Sequence, residues 1–232
     1  EKGFNDVVSF LTLTPSISKN KVVCMINADS MNNIAQNALL KSLEEPAPFS
    51  YIIMTTSRSK ALSQTIYSRC QVVNIPFIGT NKIDAWLIEN GITDYTSNDF
   101  PSFATPFSIL DDIQSNKQNC YKEFVSILVD YISLKIDQNQ AIKLLNDLDI
   151  SLILKMNYFV EFYKIILKAR ITNEDLSGIY KVFNSRSFNK LKISNLINDI
   201  NNLRHDLYDV TSINEMHVLN YFFSELKLSI KQ

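Results

Sequence analysis

The rhythm of apolar positions changes along the chain. Up to about residue 78, short unbroken apolar runs alternate with stretches at helical spacing. Val22 to Ile26 is a run of five, the pattern of a strand buried on both faces of a parallel sheet. Tyr51 to Thr55 and Gln71 to Ile75 predict a second and a third strand. Between the first two, Ile34, Ala38, Leu39 and Leu43 recur at helical spacing from Asn32 to Glu45, and Pro46 and Pro48 stop that helix. Val7, Val8, Phe10 and Leu11 predict a short helix closed by Pro15, and Ser59 to Tyr67 another. Strands alternating with helices imply right-handed crossovers and a sheet covered on both sides.

After Pro76 the strand signal ends. Lys82 to Glu89, with Ile83, Trp86 and Leu87, reads as a small helix, and a polar stretch from Asn90 to Ser102 leads to another around Ile109. From Asn119 onward everything reads as helical. One stripe holds Phe124, Ile127, Leu128, Tyr131 and Ile132, and a second Leu152, Met156, Val160, Tyr163 and Leu167. Leu196, Ile197, Ile200, Leu203 and Leu207 form a third. Ser212 with Glu215 three residues on fits a capping box that opens the last helix. The aromatic run Tyr221, Phe222, Phe223 is broad for one buried face, which leaves a packed core and a contact with a neighbouring subunit both open. The expected fold class is α/β followed by all-α: an α/β portion over residues 1–78, a compact helical lid over 79–118 and a helical domain over 119–232.

Composition narrows the classes. The 232 residues are 46% apolar, enough to bury a substantial core. A formal net charge of -1 excludes a stand-alone polyanion binder, so any contact with DNA must be local and assisted. Cys24, Cys70 and Cys120 are odd in number with no C-x-x-C pair, which argues for reduced thiols in a cytoplasmic protein and against disulfides or a zinc site in this stretch. His205 and His217 stand far from the cysteines and from each other, so structural roles are expected for both. No stretch of these residues reads as a signal peptide, and no apolar run is long enough to span a membrane. No Ser/His/Asp, Cys/His or paired-acid arrangement has usable spacing, which disfavours an autonomous enzyme.

Three short stretches carry more. "NALLKSLEEP" (Asn37 to Pro46) follows the first strand, "MTTS" (Met54 to Ser57) ends the second, and "SRC" (Ser68 to Cys70) closes the helix after it. In this order and spacing they resemble the clamp-loader branch of the AAA+ ATPases, in which Ser-Arg-Cys is the arginine-finger signature. "LRHDLYDVTSINEMHVLNYFF" (Leu203 to Phe223) is similar to the end of the collar domain in a subunit of the bacterial DNA polymerase III clamp loader. The resemblance implies a partial AAA+ RecA-like parallel sheet module, a lid, and a collar that builds the oligomer.

It also implies a damaged ATP site. Active members end the strand before "NALL" in an Asp-Glu pair, one acid for magnesium and one polarising the attacking water. Counting back from Asn37, those places hold Ile26 and Asn27. Ile26 cannot ligate a hard cation and Asn27 cannot act as a base. Asp29 falls two residues past the glutamate place, where it is expected to cap or solvate the turn. An arginine early in a lid helix is replaced by Phe107 within "ATPFSIL", and the phosphate loop would lie before Glu1. Thr56 and Ser57 occupy the polar sensor's place, with capping of the Ser59 helix as the alternative. Glu44 and Glu45 sit near a helix C-terminus, where the macrodipole disfavours acids, which hints at a subunit contact or a cation partner.

What survives is Arg69. A guanidinium lent by a neighbour stabilises the charge that builds on a transferring phosphoryl group. "TIYSRCQVV" places Ser68 and Arg69 facing outward at a helix–strand junction; the alternative is an arginine paired with a local acid. Arg58, with no such context, is expected to be a solvated surface charge.

The implied role is a non-catalytic clamp-loader subunit that binds no cofactor itself. Arg69, with Ser68 beside it, would serve ATP and magnesium held by a neighbouring gamma/tau subunit. The delta subunit, the sliding clamp and primed DNA would be its further partners. A fragment of the gamma/tau ATPase itself, or a free-standing helical interaction module, are the rival readings. The chain opens on Glu1, which suggests that it begins inside a larger protein. In that case the portion up to residue 78 is expected to expose apolar strand surface where a central strand is missing.

Overall fold

A computed structural model describes residues 7–13, 18–58, 62–207 and 213–231. The chain divides into two compact units, Glu1–Pro76 and Phe77–Gln232.

In the first unit, helix α1 (Val7–Thr12) precedes strand β1 (Lys21–Met25), helix α2 (Asn33–Glu44), strand β2 (Ser50–Met54) and the single turn of helix α3 (Gln64–Tyr67). Asn32 caps α2 by accepting from the Ala35 N–H. Lys21 is buried and donates to the carbonyls of Leu11 and Leu13, satisfying the end of α1. Strands β1 and β2 are parallel, with Val22 opposite Tyr51, Cys24 opposite Ile53 and Met25 opposite Met54.

Two strand expectations need correction. The strands alternate rather than being buried on both faces: Val22, Cys24, Tyr51 and Ile53 are exposed, while Val23, Met25, Ile52 and Met54 are half-buried. Nor does Gln71–Ile75 pair as a strand; it runs as coil with Val73 76% and Ile75 87% exposed. An apolar run signals burial, but a strand exists only through a hydrogen-bonded neighbour, and among the described residues the sheet ends at β2. Of the helix expected over Ser59–Tyr67, only Gln64–Tyr67 forms among the described residues; 59–61 lie outside them, as does Pro15.

The second unit begins with α4 (Thr80–Glu89) and α5 (Pro106–Gln114), which enclose Ile83, Leu87, Phe100, Ala104 and Ile109. Helices α6 (Cys120–Ile132), α7 (Gln138–Asp147), α8 (Leu152–Thr172), α9 (Lys190–Asp206) and α10 (Glu215–Ser229) surround a larger core. Helix α8 is its axis, burying Tyr158, Phe159, Phe162 and Tyr163 as well as Met156 and Val160. That is wider than one stripe, as befits a helix surrounded by others. Phe222 and Phe223 are fully buried, their rings set edge-on to Phe159, whereas Tyr221 is exposed and donates to Asp199. The aromatic run is thus mostly core.

Two further expectations fail here. The region after Asn119 is not wholly helical: strand β3 (Ser187–Phe188) pairs antiparallel with β4 (Ile230–Lys231). Asn214, not Ser212, caps α10, accepting from the His217 N–H, and Ser212 lies outside the described residues. Glu215 instead accepts from the buried Lys155 ammonium at 2.6 Å. The buried Glu161 of α8 accepts from the Ser102 N–H at 3.0 Å and its hydroxyl at 2.9 Å, tying the loop before α5 to the large core. Among the described residues no helix is long and apolar enough to cross a membrane.

Candidate functional site

Arg69 lies in the turn that closes α3, its N–H bonded to the Ile66 carbonyl at 3.0 Å. That turn is anchored from below. Ile66 is buried, and the Ser63 N–H ahead of α3 donates to Oε1 of Gln36, a buried residue of α2. From this base the Arg69 side chain reaches the surface with 32% of its area exposed. Nη1 donates to the Thr65 carbonyl at 2.9 Å and to the Ser68 hydroxyl at 3.2 Å. Nη2 donates to Glu44 Oε1 at 2.6 Å. Three hydrogen bonds leave at least two of a guanidinium's five N–H groups uncommitted. The arginine is therefore at the surface and also paired with an acid of its own unit; the two arrangements weighed from the sequence are both present. The pair is half-exposed, with Glu44 at 49%, and such pairs contribute about 0–1 kcal/mol, little enough to be exchanged for another anion.

At the tip of β1, Ile26 is 77% exposed and Asn27 adopts the left-handed conformation at φ 54°, which asparagine tolerates. The Asn27 N–H donates to the Thr55 hydroxyl at 3.2 Å, and the Ala28 N–H to the Thr55 carbonyl at 2.8 Å, so the tips of β1 and β2 are stitched together. Neither side chain supplies a carboxylate. Magnesium does not fit this tip, and among the described residues no cluster of His, Cys, Asp or Glu could hold a metal.

Asp29 does not solvate the turn, and Arg58 is not a free surface charge. Arg58 Nε lies 2.7 Å from Asp29 Oδ2, with side-chain exposures of 26% and 6%. Burial would raise the Asp29 carboxyl, but the Arg58 bond and charge outweigh it and hold the group below its ordinary value. The Thr56 hydroxyl accepts from the Arg58 N–H at 3.0 Å, a local turn bond. Sequence reasoning missed this pair, although the strand register carries the signal: Asp29 and Arg58 each follow the paired Met25 and Met54 by four residues.

In the second unit, Phe107 stands 70% exposed in the first turn of α5, edge-on to Trp86 at 5.4 Å. An aromatic ring there offers no charge to a phosphate. His217 is exposed at the start of α10, and the side chain of His205 lies outside the described residues. Cys24, Cys70 and Cys120 are free; burial pushes the Cys70 and Cys120 thiols up.

Residues 4–78 match the family described as "DNA polymerase III, delta subunit". The DNA polymerase III subunit delta' of Haemophilus influenzae is 44% identical over 68 residues, 29% of this chain and 21% of that protein. Over these residues the chain is similar to DNA polymerase III delta' subunits. The delta' subunit of Buchnera aphidicola extends the likeness to 125 residues at 30% identity, 50% of this chain and 38% of that protein. The chain thus spans about a fifth to two-fifths of the length of these delta-prime relatives. A gamma-subunit-related protein of DNA polymerase III from Thermotoga maritima superposes over 96% of this chain and 77% of its own, at 18% identity and a TM-score of 0.47, too loose to fix the fold.

Proposed function

We propose that this chain is part of a delta-prime subunit of a bacterial clamp loader, a non-catalytic member of the ring that lends Arg69 to the ATP site of a neighbouring gamma/tau subunit. The observation that carries the reading is the Arg69 turn: a guanidinium in the Ser-Arg-Cys context, on the surface, with uncommitted donors and a partner it can exchange. Ser68 supports it from the adjacent position through the bond to Nη1. The neutral tip of β1 supports the other half, since Ile26 and Asn27 offer neither a magnesium ligand nor a base. ATP and magnesium belong to the partner. The lid and collar regions hold the subunit in a ring that acts on a sliding clamp and primed DNA beside the delta subunit.

The test is Arg69→Ala in the full-length subunit, reconstituted with gamma/tau and delta. DNA-stimulated ATP hydrolysis is expected to fall on the order of 10³-fold with assembly intact, as for loss of a finger supplied in trans. The Glu44 pair favours a second reading, in which Arg69 only fastens α2 to the α3 turn. In that case Arg69→Ala and Glu44→Ala would lower thermal stability alike and leave hydrolysis unchanged. Binding of ATP by the full-length subunit alone, with hydrolysis, would instead favour a gamma/tau identity.

A further inference from the structure

Glu44 has no local reason to be where it is. It occupies the last turn of α2, where the negative end of the helix dipole disfavours a carboxylate. Lys41 stands three residues earlier on the same helix, yet the carboxylate takes Arg69 from 25 residues away. The helix carrying Glu44 also carries Gln36, which holds the start of α3 through the Ser63 N–H at 2.9 Å. One rigid element therefore positions both ends of the arginine: Gln36 fixes the segment from which its backbone emerges, and Glu44 fixes its guanidinium.

We infer that Glu44 is a positioning residue for Arg69, holding the guanidinium in one orientation over the α3 turn for an incoming phosphate. An unrestrained arginine populates many rotamers, and freezing them at the moment of reaction costs conformational entropy. Here Thr65 O, Ser68 Oγ and Glu44 Oε1 take three N–H groups of the Nη1 and Nη2 atoms. The Nε–H makes none of these bonds and stays available with one further N–H. Phosphate can thus be met without first releasing Glu44, and the side chain arrives with its rotamer already set. The carboxylate's own charge opposes a nearby phosphate. The positioning effect must exceed that opposition for the inference to stand.

This inference rests on the finger reading above, and the experiment separates the two. Glu44→Gln, Glu44→Asp, Arg69→Ala and the double variant are compared in the reconstituted loader with full-length subunits, measuring kcat and KM for ATP in DNA-stimulated hydrolysis. Glu44→Gln is expected to lower kcat about fivefold, the rate equivalent of about 1 kcal/mol, with KM unchanged. Glu44→Asp, which keeps the charge but is one methylene shorter, is expected to recover part of the loss. Added to Arg69→Ala, Glu44→Gln is expected to have no further effect. A large loss in Arg69→Ala with none in Glu44→Gln overturns the role of Glu44 and leaves the finger intact. A rate that rises in Glu44→Gln, or that falls equally with and without Arg69, overturns it too. An unchanged rate in Arg69→Ala removes the finger reading itself.

Discussion

Among the described residues, Arg58 and Asp29 form the most deeply placed ion pair of the first unit, joining the turn after β1 to the turn after β2. Arg58 Nε lies 2.7 Å from Oδ2, and its Nη2 donates to the Asp29 carbonyl at 3.0 Å. The carboxylate is almost fully buried, and its charge is met by Arg58. A buried carboxylate depends heavily on the cation paired with it.

Arg58→Ala is accordingly expected to destabilise the chain by roughly 2 kcal/mol, below the roughly 3–5 kcal/mol of a fully buried pair because Arg58 is itself partly solvated. The double variant Asp29→Asn/Arg58→Ala should recover much of that loss, since no charge is then stranded. Urea unfolding midpoints of the three proteins provide the measurement. A double variant no more stable than Arg58→Ala would show that the arginine acts through packing rather than charge.

The same pair sets a pH dependence with a definite sign. Asp29 has a folded pKa below its ordinary value, so its stabilising contribution is fully present above the unfolded value of about 3.9 and is lost as pH falls through the folded one. Without Arg58, burial raises the Asp29 carboxyl, so the wild-type advantage over Arg58→Ala should begin to shrink above the ordinary carboxylate value and go on shrinking as pH falls further. Unfolding curves collected between neutral and strongly acidic pH test it. A difference that instead widens on acidification is incompatible with the pairing.

The helices were the most legible part of the sequence, and the strands the least, for one physical reason. A helix bonds within itself, so the spacing of Ile83 and Leu87, or of Phe124, Leu128 and Tyr131, reports both the element and its buried face. A strand needs a partner that spacing does not supply. Val22–Cys24 and Tyr51–Ile53 found one in each other, while Gln71–Ile75, with apolar Val72, Val73 and Ile75, found none among the described residues. The candidate site divides along the same line. Arg69 was legible from its local motif. Its bond to Glu44 was foreshadowed only as an acid at an unfavourable helix end. The Arg58–Asp29 pair depends on register between two strands, and no single segment contains that information.

The two units also differ in how well each encloses its own apolar surface, and this gives an order of stability. The first unit buries Leu11, Ala28, Leu39, Leu62 and Ile66, but leaves Val22, Tyr51 and Ile53 exposed on one sheet face and Val72, Val73 and Ile75 exposed beyond α3. The second buries an aromatic core around Phe159, with Phe124, Tyr163, Phe222 and Phe223 in contact through edge-on or stacked rings. Burial contributes roughly 25 cal/mol per Å² of apolar surface, so a unit that leaves a whole sheet face in water loses much of its driving force. Local opening should therefore begin in the first unit. Limited proteolysis of the chain is expected to cut within residues 18–76 and to leave a resistant fragment from within 77–232. The reverse pattern, an intact N-terminal fragment and a digested C-terminal one, would mean that the exposed sheet face is covered by something other than the residues described, and the order of stability would have to be inverted.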